Sequence, residues 1–389
     1  MNHSNNMDLN GKKMGGHLLV DSLRTHGVDM VFGVPGESYL AVLDGLQDAN
    51  SIRTIMCRQE GGSAMMAEAY GKLTGKPGVC LVTRGPGATN ASAGIHIAMQ
   101  DSTPLVMLVG QVGREMMDRE AFQEIDYRRM YGELTKWVAQ IEDTSRIPEY
   151  ISRAFHTATS GRPGPVVLAL PEDMLTEYAD SKIINSYQKI EAYPSPTDLV
   201  RFEKMLISAK SPLMIVGGGG WDEPSCQKLQ SFAEINNLPV GCSFRCQDYF
   251  DNRHPNYVGH IGIGLSNSLK DRIQNSDLLV VVGARLGEIT TSGYSLLEIP
   301  KPKQQLIHVH AGAEELGSVY QADLPINASP RSFIDSVSQL KVSGSSQWTA
   351  STKLGNSDYL ETLVPKAIPG DVQMGQIACW LNETLPEDA

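Results

Sequence analysis

Two glycine-containing turns are the first candidates for ligand binding in this sequence. One is Val-Pro-Gly-Glu at residues 34–37, and the other is Arg-Gly-Pro-Gly-Ala-Thr-Asn at residues 84–90. Glycine lets the backbone approach a ligand closely, and a helix N-terminus offers unpaired N–H groups. A tight strand-to-helix connection needs the same residue types, so each turn alone leaves ligand binding open. Neither turn is a Walker A loop, because no Gly-Lys-Ser/Thr follows it.

Glu60 is the candidate catalytic carboxylate. It stands in the segment Arg-Gln-Glu-Gly-Gly-Ser-Ala at residues 58–64, which follows a predicted strand and begins a helix of small residues. The helix dipole alone favours a carboxylate in the first turn, so this position does not by itself establish a role. The two glycine turns give it weight, since ligands of open parallel sheets bind at the carboxyl ends of the strands.

Short apolar strands alternating with helices must position these residues. Continuous apolar runs fit strands that are buried on both faces, and the alternation implies a parallel sheet covered by helices on both sides. A polar, proline-containing stretch at 176–197 and a second polar stretch at 341–357, which contains Ser-Gly-Ser-Ser, are predicted linkers, and a further helix is predicted to begin near Val372. We therefore predict an α/β fold with two consecutive doubly wound parallel-sheet domains and the start of a third. Strands are predicted at 30–32, 52–56, 79–82, 105–109, 166–170, 213–216, 238–240, 278–282 and 306–309.

The composition excludes several classes of protein. The 389 residues include 33 Lys and Arg against 44 Asp and Glu, and the net charge of −11 argues against a general nucleic-acid or anionic-membrane partner. No apolar run approaches the length of a membrane helix, and the polar first six residues lack a signal pattern. The six cysteines match neither a disulfide framework nor a zinc site, so we expect reduced thiols in a cytoplasmic protein.

Residues 14–180 resemble the pyrimidine-binding domain of thiamine-diphosphate enzymes of the acetolactate synthase large-subunit group. Residues 195–340 resemble the central domain of that family, and residues 357–389 resemble only the beginning of its diphosphate-binding domain. The segments that carry the resemblance in the first domain are 31–36, 58–62, 67–70, 75–78, 85–90, 104–106, 110–112, 121–124, 134–136 and 160–166.

The resemblance implies the chemistry of each site residue. Glu60 corresponds to the activating glutamate, which hydrogen-bonds to the aminopyrimidine ring and so lets the cofactor remove its own thiazolium C2 proton. Gln123 is implied as a second catalytic residue near C2, with a polar loop residue as its alternative. Phe122 and Lys136 are implied as substrate contacts, although Lys136 also fits a solvated strand edge. The implied contacts of thiamine diphosphate are Pro35, Gly36, Glu60, Pro86, Gly87 and Asn90.

FAD is left open in the central domain. The resemblance implies flavin contacts at Arg162, Gly217, Gly218 and Arg285. However, the family's aspartate at the end of its His-Ile strand is replaced here by His310, and histidine is a poorer acceptor for ribose hydroxyls. A central domain with an empty or different nucleotide cleft is the alternative.

The resemblance implies a thiamine-diphosphate enzyme that decarboxylates a small 2-oxo acid and ligates the product to a second carbonyl, as in branched-chain amino acid biosynthesis. A benzoylformate-decarboxylase-like or sulfoacetaldehyde-type enzyme and a non-catalytic fragment are the alternatives. The sequence contains no Gly-Asp-Gly, so no metal ligand is predicted in this chain and those of Mg²⁺ are expected in a missing domain. We therefore expect a fragment or a natural truncation with little turnover, and a homodimer or tetramer because the family's active site lies between subunits.

Overall fold

The computed structural model describes residues 11–180 and 184–386. The chain divides into two compact units, the first ending at Glu191 and the second beginning at Ala192. The polar N-terminal residues, part of the predicted linker at 176–197 and the last three residues of the predicted third segment lie outside the described residues. No helix among the described residues is long and apolar enough to cross a membrane.

The first unit is built on a six-stranded parallel sheet of order β3-β2-β4-β5-β7-β6, with a separate antiparallel pair β1-β8. Its strands are β1 Lys12–Met14, β2 Met30–Gly33, β3 Arg53–Met56, β4 Gly78–Val82, β5 Leu105–Gln111, β6 Trp137–Gln140, β7 Pro165–Pro171 and β8 Tyr178–Asp180. Its helices are α1 Gly15–Thr25, α2 Leu40–Asp48, α3 Glu60–Thr74, α4 Pro86–Asp101, α5 Tyr127–Tyr131, α6 Ile147–Thr159 and α7 Glu172–Thr176.

Helices cover both faces of this sheet, as the continuous apolar strands predicted. Every residue of β4, β5 and β7 is buried. Large side chains from α1, α2 and α6 pack on one face, whereas α3 and α4 contribute mainly small residues to the other. The small residues let α3 and α4 approach each other closely, since a Cβ added at Gly94 would lie 2.6 Å from Cβ of Ala64. Both helices begin at the carboxyl edge of the sheet.

The second unit contains another six-stranded parallel sheet, of order β11-β10-β9-β12-β13-β14. The two doubly wound parallel sheets confirm the predicted fold class. The strands are β9 Pro212–Val216, β10 Val240–Ser243, β11 Tyr257–Ile261, β12 Leu278–Val282, β13 Gln305–His310 and β14 Leu324–Asn327. The helices are α8 Pro196–Ser208, α9 Glu223–Asn236, α10 Asn267–Asn275, α11 Pro330–Val337, α12 Thr349–Thr362 and α13 Met374–Thr384.

The predicted linker at 341–357 is wrong. Trp348 is 1% exposed, and its indole N–H donates to the backbone oxygen of Ala209 at 2.9 Å. α12 follows immediately and packs against β11. Burying one large aromatic side chain outweighs the preference of the preceding Ser-Gly-Ser-Ser run for a flexible conformation. This segment is therefore an integral part of the second unit.

Candidate functional site

The candidate site lies where β2, β3 and β4 end. The turn after β2 and the turn after β4 touch each other, because a Cβ added at Gly36 would lie 2.5 Å from Cβ of Thr83. Thr83 also lies close to Gly87, in the turn after β4, since its Cγ2 would be 2.8 Å from a Cβ added at Gly87. Gly36 and Gly87 therefore lie on either side of Thr83, and side chains at either position would force the two turns apart.

Glu60 begins α3 beside these turns. The helix is capped by Gln59, whose side-chain oxygen accepts the backbone N–H of Gly62 at 2.7 Å. The Glu60 carboxylate is half-buried, and its Oε2 accepts a hydrogen bond from the side-chain amide of Asn90 at 3.0 Å. Its other oxygen, Oε1, would lie 3.6 Å from a Cβ added at Gly87. Gly87 therefore leaves space next to Oε1 of Glu60, while the Asn90 amide holds Oε2.

Buried side chains lie close to this carboxylate. Tyr39 is 1% exposed, its hydroxyl donates to the backbone oxygen of Val34, and its pKa is raised mainly by burial, with the negative charge of Glu60 adding to the shift. Burial likewise raises the pKa of the Cys80 thiol to about 12, against the opposing effect of its hydrogen bond with Ser63. Cys80 is therefore an uncharged packing residue rather than a nucleophile.

The loop that carries Phe122 and Gln123 lies against the second glycine turn. A Cβ added at Gly85, where φ is +59°, would lie 2.7 Å from Cβ of Gln123, which itself has φ of +65°. The Glu124 carboxylate holds this loop by accepting the backbone N–H groups of Asp118 at 2.7 Å and Ala121 at 3.0 Å. These hydrogen bonds lower the pKa of Glu124. Phe122, in contrast, is 73% exposed.

Two predicted site residues lie before the amino ends of β6 and β7, whereas Glu60 follows the carboxyl end of β3. Lys136 precedes β6, its ammonium group donates to the backbone oxygen of Ser160, and its alkyl chain packs at Gly164. Arg162 precedes β7 and donates to the backbone oxygen of Met99 and, at 2.9 Å, to Oγ of Ser102 at the end of α4. The structure therefore does not bring Lys136 and Arg162 together with Glu60 in this unit.

The predicted flavin glycines of the second unit lie where the strand order reverses, between β9 and β12, a common place for ligands. However, close packing of the backbone within this unit already explains the need for glycine at 218. A Cβ added at Gly218 would lie 2.0 Å from the backbone oxygen of Gly283. The indole N–H of Trp221 donates to the Gly217 oxygen at 2.9 Å, and the Tyr249 hydroxyl donates to the Gly218 oxygen at 2.8 Å. The unit's own aromatic side chains thus engage both turn carbonyls.

The end of β13 does not offer the carboxylate that an adenosine ribose would need. His310 is 5% exposed, and its Nδ1 lies 3.0 Å from the backbone nitrogen of Gly312. Arg285 donates to the carboxylate of Glu315 at 3.0 Å, so these two opposite charges engage each other. The neighbouring His308 is buried, and burial lowers its pKa to about 4. The residues at this end of the sheet therefore do not fit FAD.

The residues around Glu60, in contrast, fit the aminopyrimidine half of thiamine. That ring needs a carboxylate at a ring nitrogen and a backbone without side chains beside it, and Glu60, Gly87 and Gly36 meet these needs. Prediction from sequence missed Gln59 and Thr83, which set the helix start and the turn spacing. The Arg-Gln-Glu segment contained a signal for the first, but glutamine is not a usual helix cap.

The sequence matches the family described as "Thiamine pyrophosphate enzyme, N-terminal TPP binding domain" over residues 13–130 and "Thiamine pyrophosphate enzyme, central domain" over residues 200–337. The chain belongs to the thiamine pyrophosphate enzyme family. These two domains correspond to the two sheet units, and the resemblance inferred from sequence is confirmed. Among the described residues, no group of three or more His, Cys, Asp or Glu side chains is arranged to hold a metal ion.

Several members of this thiamine pyrophosphate enzyme family align with most of the chain. The chain is 31% identical to the acetolactate synthase large subunit of Corynebacterium glutamicum, in an alignment that covers 96% of this chain and 60% of the relative. It is 30% identical to the isozyme 2 large subunit of Escherichia coli, covering 84% and 59%, and 31% identical to the isozyme 3 large subunit, covering 91% and 65%. The chain therefore spans about three fifths of the length of these curated relatives.

Proposed function

We propose that this chain supplies the pyrimidine-binding and central domains of an enzyme of acetolactate-synthase type. Such an enzyme would decarboxylate a small 2-oxo acid and ligate the product to a second carbonyl. The single observation that carries the proposal is the Glu60 carboxylate, half-buried beside Gly87 and held by Asn90 at 3.0 Å. The names of the acetolactate synthase relatives support this choice of reaction.

When bound, thiamine diphosphate supplies a nucleophilic carbon and an electron sink. Glu60 would hold the proton shared with the aminopyrimidine nitrogen, and the Asn90 amide would keep the carboxylate turned toward that ring. The buried Tyr39 ring beside this carboxylate makes part of its surroundings apolar, which favours such a hydrogen bond. The ring would lie between the two turns and be flanked by the backbones of Pro35, Gly36, Pro86 and Gly87.

Gln123 and Phe122 would contact the substrate beside the cofactor. The contact of Gln123 with Gly85 places the loop next to the turn that leads to Gly87. The exposed Phe122 ring offers an apolar surface to the substrate or to a second subunit of a homo-oligomer. Lys136 and Arg162 do not belong to this group, because both precede their strands, β6 and β7, whereas Glu60 follows the carboxyl end of β3.

The proposal includes Mg²⁺ as the partner of the cofactor's diphosphate, since hard oxygen ligands suit that ion. It does not include FAD, because His310 and the Arg285–Glu315 ion pair do not fit the nucleotide.

Binding of thiamine diphosphate tests the proposal. We expect saturable binding, measured by calorimetry, through the aminopyrimidine half of the cofactor, and a large loss of affinity in Gly87→Leu. Gly287→Leu, in the second unit, is the control, since Gly287 has no positive φ and nothing lies within 4 Å of a Cβ added there. Absence of binding to the unaltered chain would contradict the proposal. Incubation with pyruvate then compares the reactions, and we expect little turnover from this chain; formation of acetaldehyde without acetolactate would favour the simple decarboxylase.

A further inference from the structure

Arg84 is a buried cation between the elements that form the candidate site. The residue is 9% exposed, and its Nη1 donates to the Glu172 carboxylate, at the start of α7, at 3.0 Å. Its Nη2 donates to the Glu37 carboxylate, directly after Gly36, at 3.4 Å. One guanidinium group thus joins the turn after β2, the turn after β4 and the end of β7.

Backbone and hydroxyl groups connect the same turns. The backbone N–H of Arg84 donates to Oγ of Ser38 at 3.3 Å, and Oγ of Ser38 lies 2.9 Å from Oγ1 of Thr83. Ser38 is fully buried. The spacing between the Gly36 turn and the Gly87 turn is therefore set by a connected polar network whose charged member is Arg84.

We propose that Arg84 is a positioning residue that fixes the Gly36 turn against the Gly87 turn and thereby the space beside the Glu60 carboxylate. This inference rests on the proposed function. Two charge-assisted bonds set the orientation of the guanidinium, while its buried Nε has no hydrogen-bond partner among the described residues. A lysine could not replace it, because one ammonium group lacks the planar fork that reaches two separate carboxylates.

A purely structural ion pair is the alternative, and Arg114 provides the matched comparison. Arg114 lies just after β5 at the same sheet edge and donates to Asp173 at 2.7 Å and to Glu177. Its hydrogen bonds also join separate elements, but among the described residues they reach Asp173, Glu142 and Glu177 and not the Gly36 or Gly87 turns. Losing Arg114 should lower stability without changing the spacing beside Glu60.

Hydrogen exchange of the ligand-free protein tests the inference in Arg84→Met, Arg84→Lys and Arg114→Met. We expect Arg84→Met to speed exchange at least tenfold for amides in both 34–39 and 84–90, with Arg84→Lys restoring little of the protection. Arg114→Met should leave both segments unchanged. Arg84→Met should also weaken thiamine diphosphate binding at least tenfold, whereas Arg114→Met should not.

Unchanged exchange in Arg84→Met, or an equal increase in Arg114→Met, would overturn the positioning role. If Arg84→Met does not fold, Glu37→Gln removes only the partly exposed partner and should speed exchange in residues 34–39; no change there would also overturn it. If the unaltered chain fails to bind thiamine diphosphate, the proposed function fails, while the exchange comparison still decides the role of Arg84.

Discussion

Acid should destabilise the first unit through His26. This side chain is 4% exposed and stacks on Phe155 at 5.0 Å between ring centroids. Its Nδ1 accepts the backbone N–H of Tyr187 at 3.0 Å, and its buried Nε2 has no partner among the described residues. Burial and the nearby His156 lower the pKa of His26 from 6.5 to about 4. The folded protein therefore keeps the imidazole neutral where the unfolded chain protonates it.

The sign and size of the effect follow from this pKa difference. Between pH 6.5 and about pH 4 the unfolded chain binds one more proton at this residue, so the free energy of unfolding falls as the pH falls. Each pKa unit corresponds to about 1.4 kcal/mol, which gives a total loss of about 3 kcal/mol across the window. Above pH 6.5 the contribution of His26 is fully present, and below pH 4 no further loss arises from it.

Urea unfolding at a series of pH values from 7 to 4 tests this expectation in the wild type and in His26→Asn. Asparagine keeps an acceptor near the Tyr187 N–H but does not titrate. The variant should be less stable at pH 7, because it loses the stack on Phe155, and the deficit should shrink by about 3 kcal/mol toward pH 4. His96→Asn, at an exposed position of α4, should run parallel to the wild type. Parallel curves for His26→Asn would refute the reasoning.

Three further predictions concern single side chains. Gly85→Ala should cost more than Gly75→Ala by about 1–3 kcal/mol in urea unfolding, because both glycines have positive φ but only Gly85 meets another residue, Gln123; equal costs would contradict that contact. Trp348→Ala should destabilise the second unit by about 3–5 kcal/mol, whereas Trp380→Ala, 59% exposed, should change the unfolding free energy by less than about 0.5 kcal/mol; a mild Trp348 effect would mean that its burial contributes little. The pKa of Glu124 is lowered, so its hydrogen bonds to the Asp118 and Ala121 amides should weaken only as the pH falls below the normal glutamate range. If hydrogen exchange of these two amides changes neither with this fall in pH nor in Glu124→Gln, the anchoring role of Glu124 is contradicted.

Burial on both faces made the central strands predictable. The apolar runs at 105–109 and 278–282 became β5 and β12, with every residue buried. Strands with mixed signals were missed. β11 contains Gly259, which weakens its strand pattern, and β14 contains Pro325 in an edge strand whose residues alternate between buried and exposed.

The contacts that shape the candidate site depend on tertiary structure. Local pattern placed Glu60 near a helix start, but the cap that makes α3 begin at Glu60, the Gln59 side chain, was not predicted. Thr83 lies close to Gly36, and Arg84 bonds to both Glu37 and Glu172. These residues are 47 to 135 positions apart in the chain. Such contacts leave no periodic signal in the sequence.

The exchange of the C2 proton of bound thiamine diphosphate with solvent deuterium tests the role of Glu60 most directly. The rate can be measured by NMR after acid quench, with Mg²⁺ and saturating cofactor, in the wild type, in Glu60→Gln and in Glu115→Gln as an exposed control. We predict that Glu60→Gln slows exchange by about 100-fold or more while still binding the cofactor, and that Glu115→Gln matches the wild type. A wild-type exchange rate in Glu60→Gln would contradict the account.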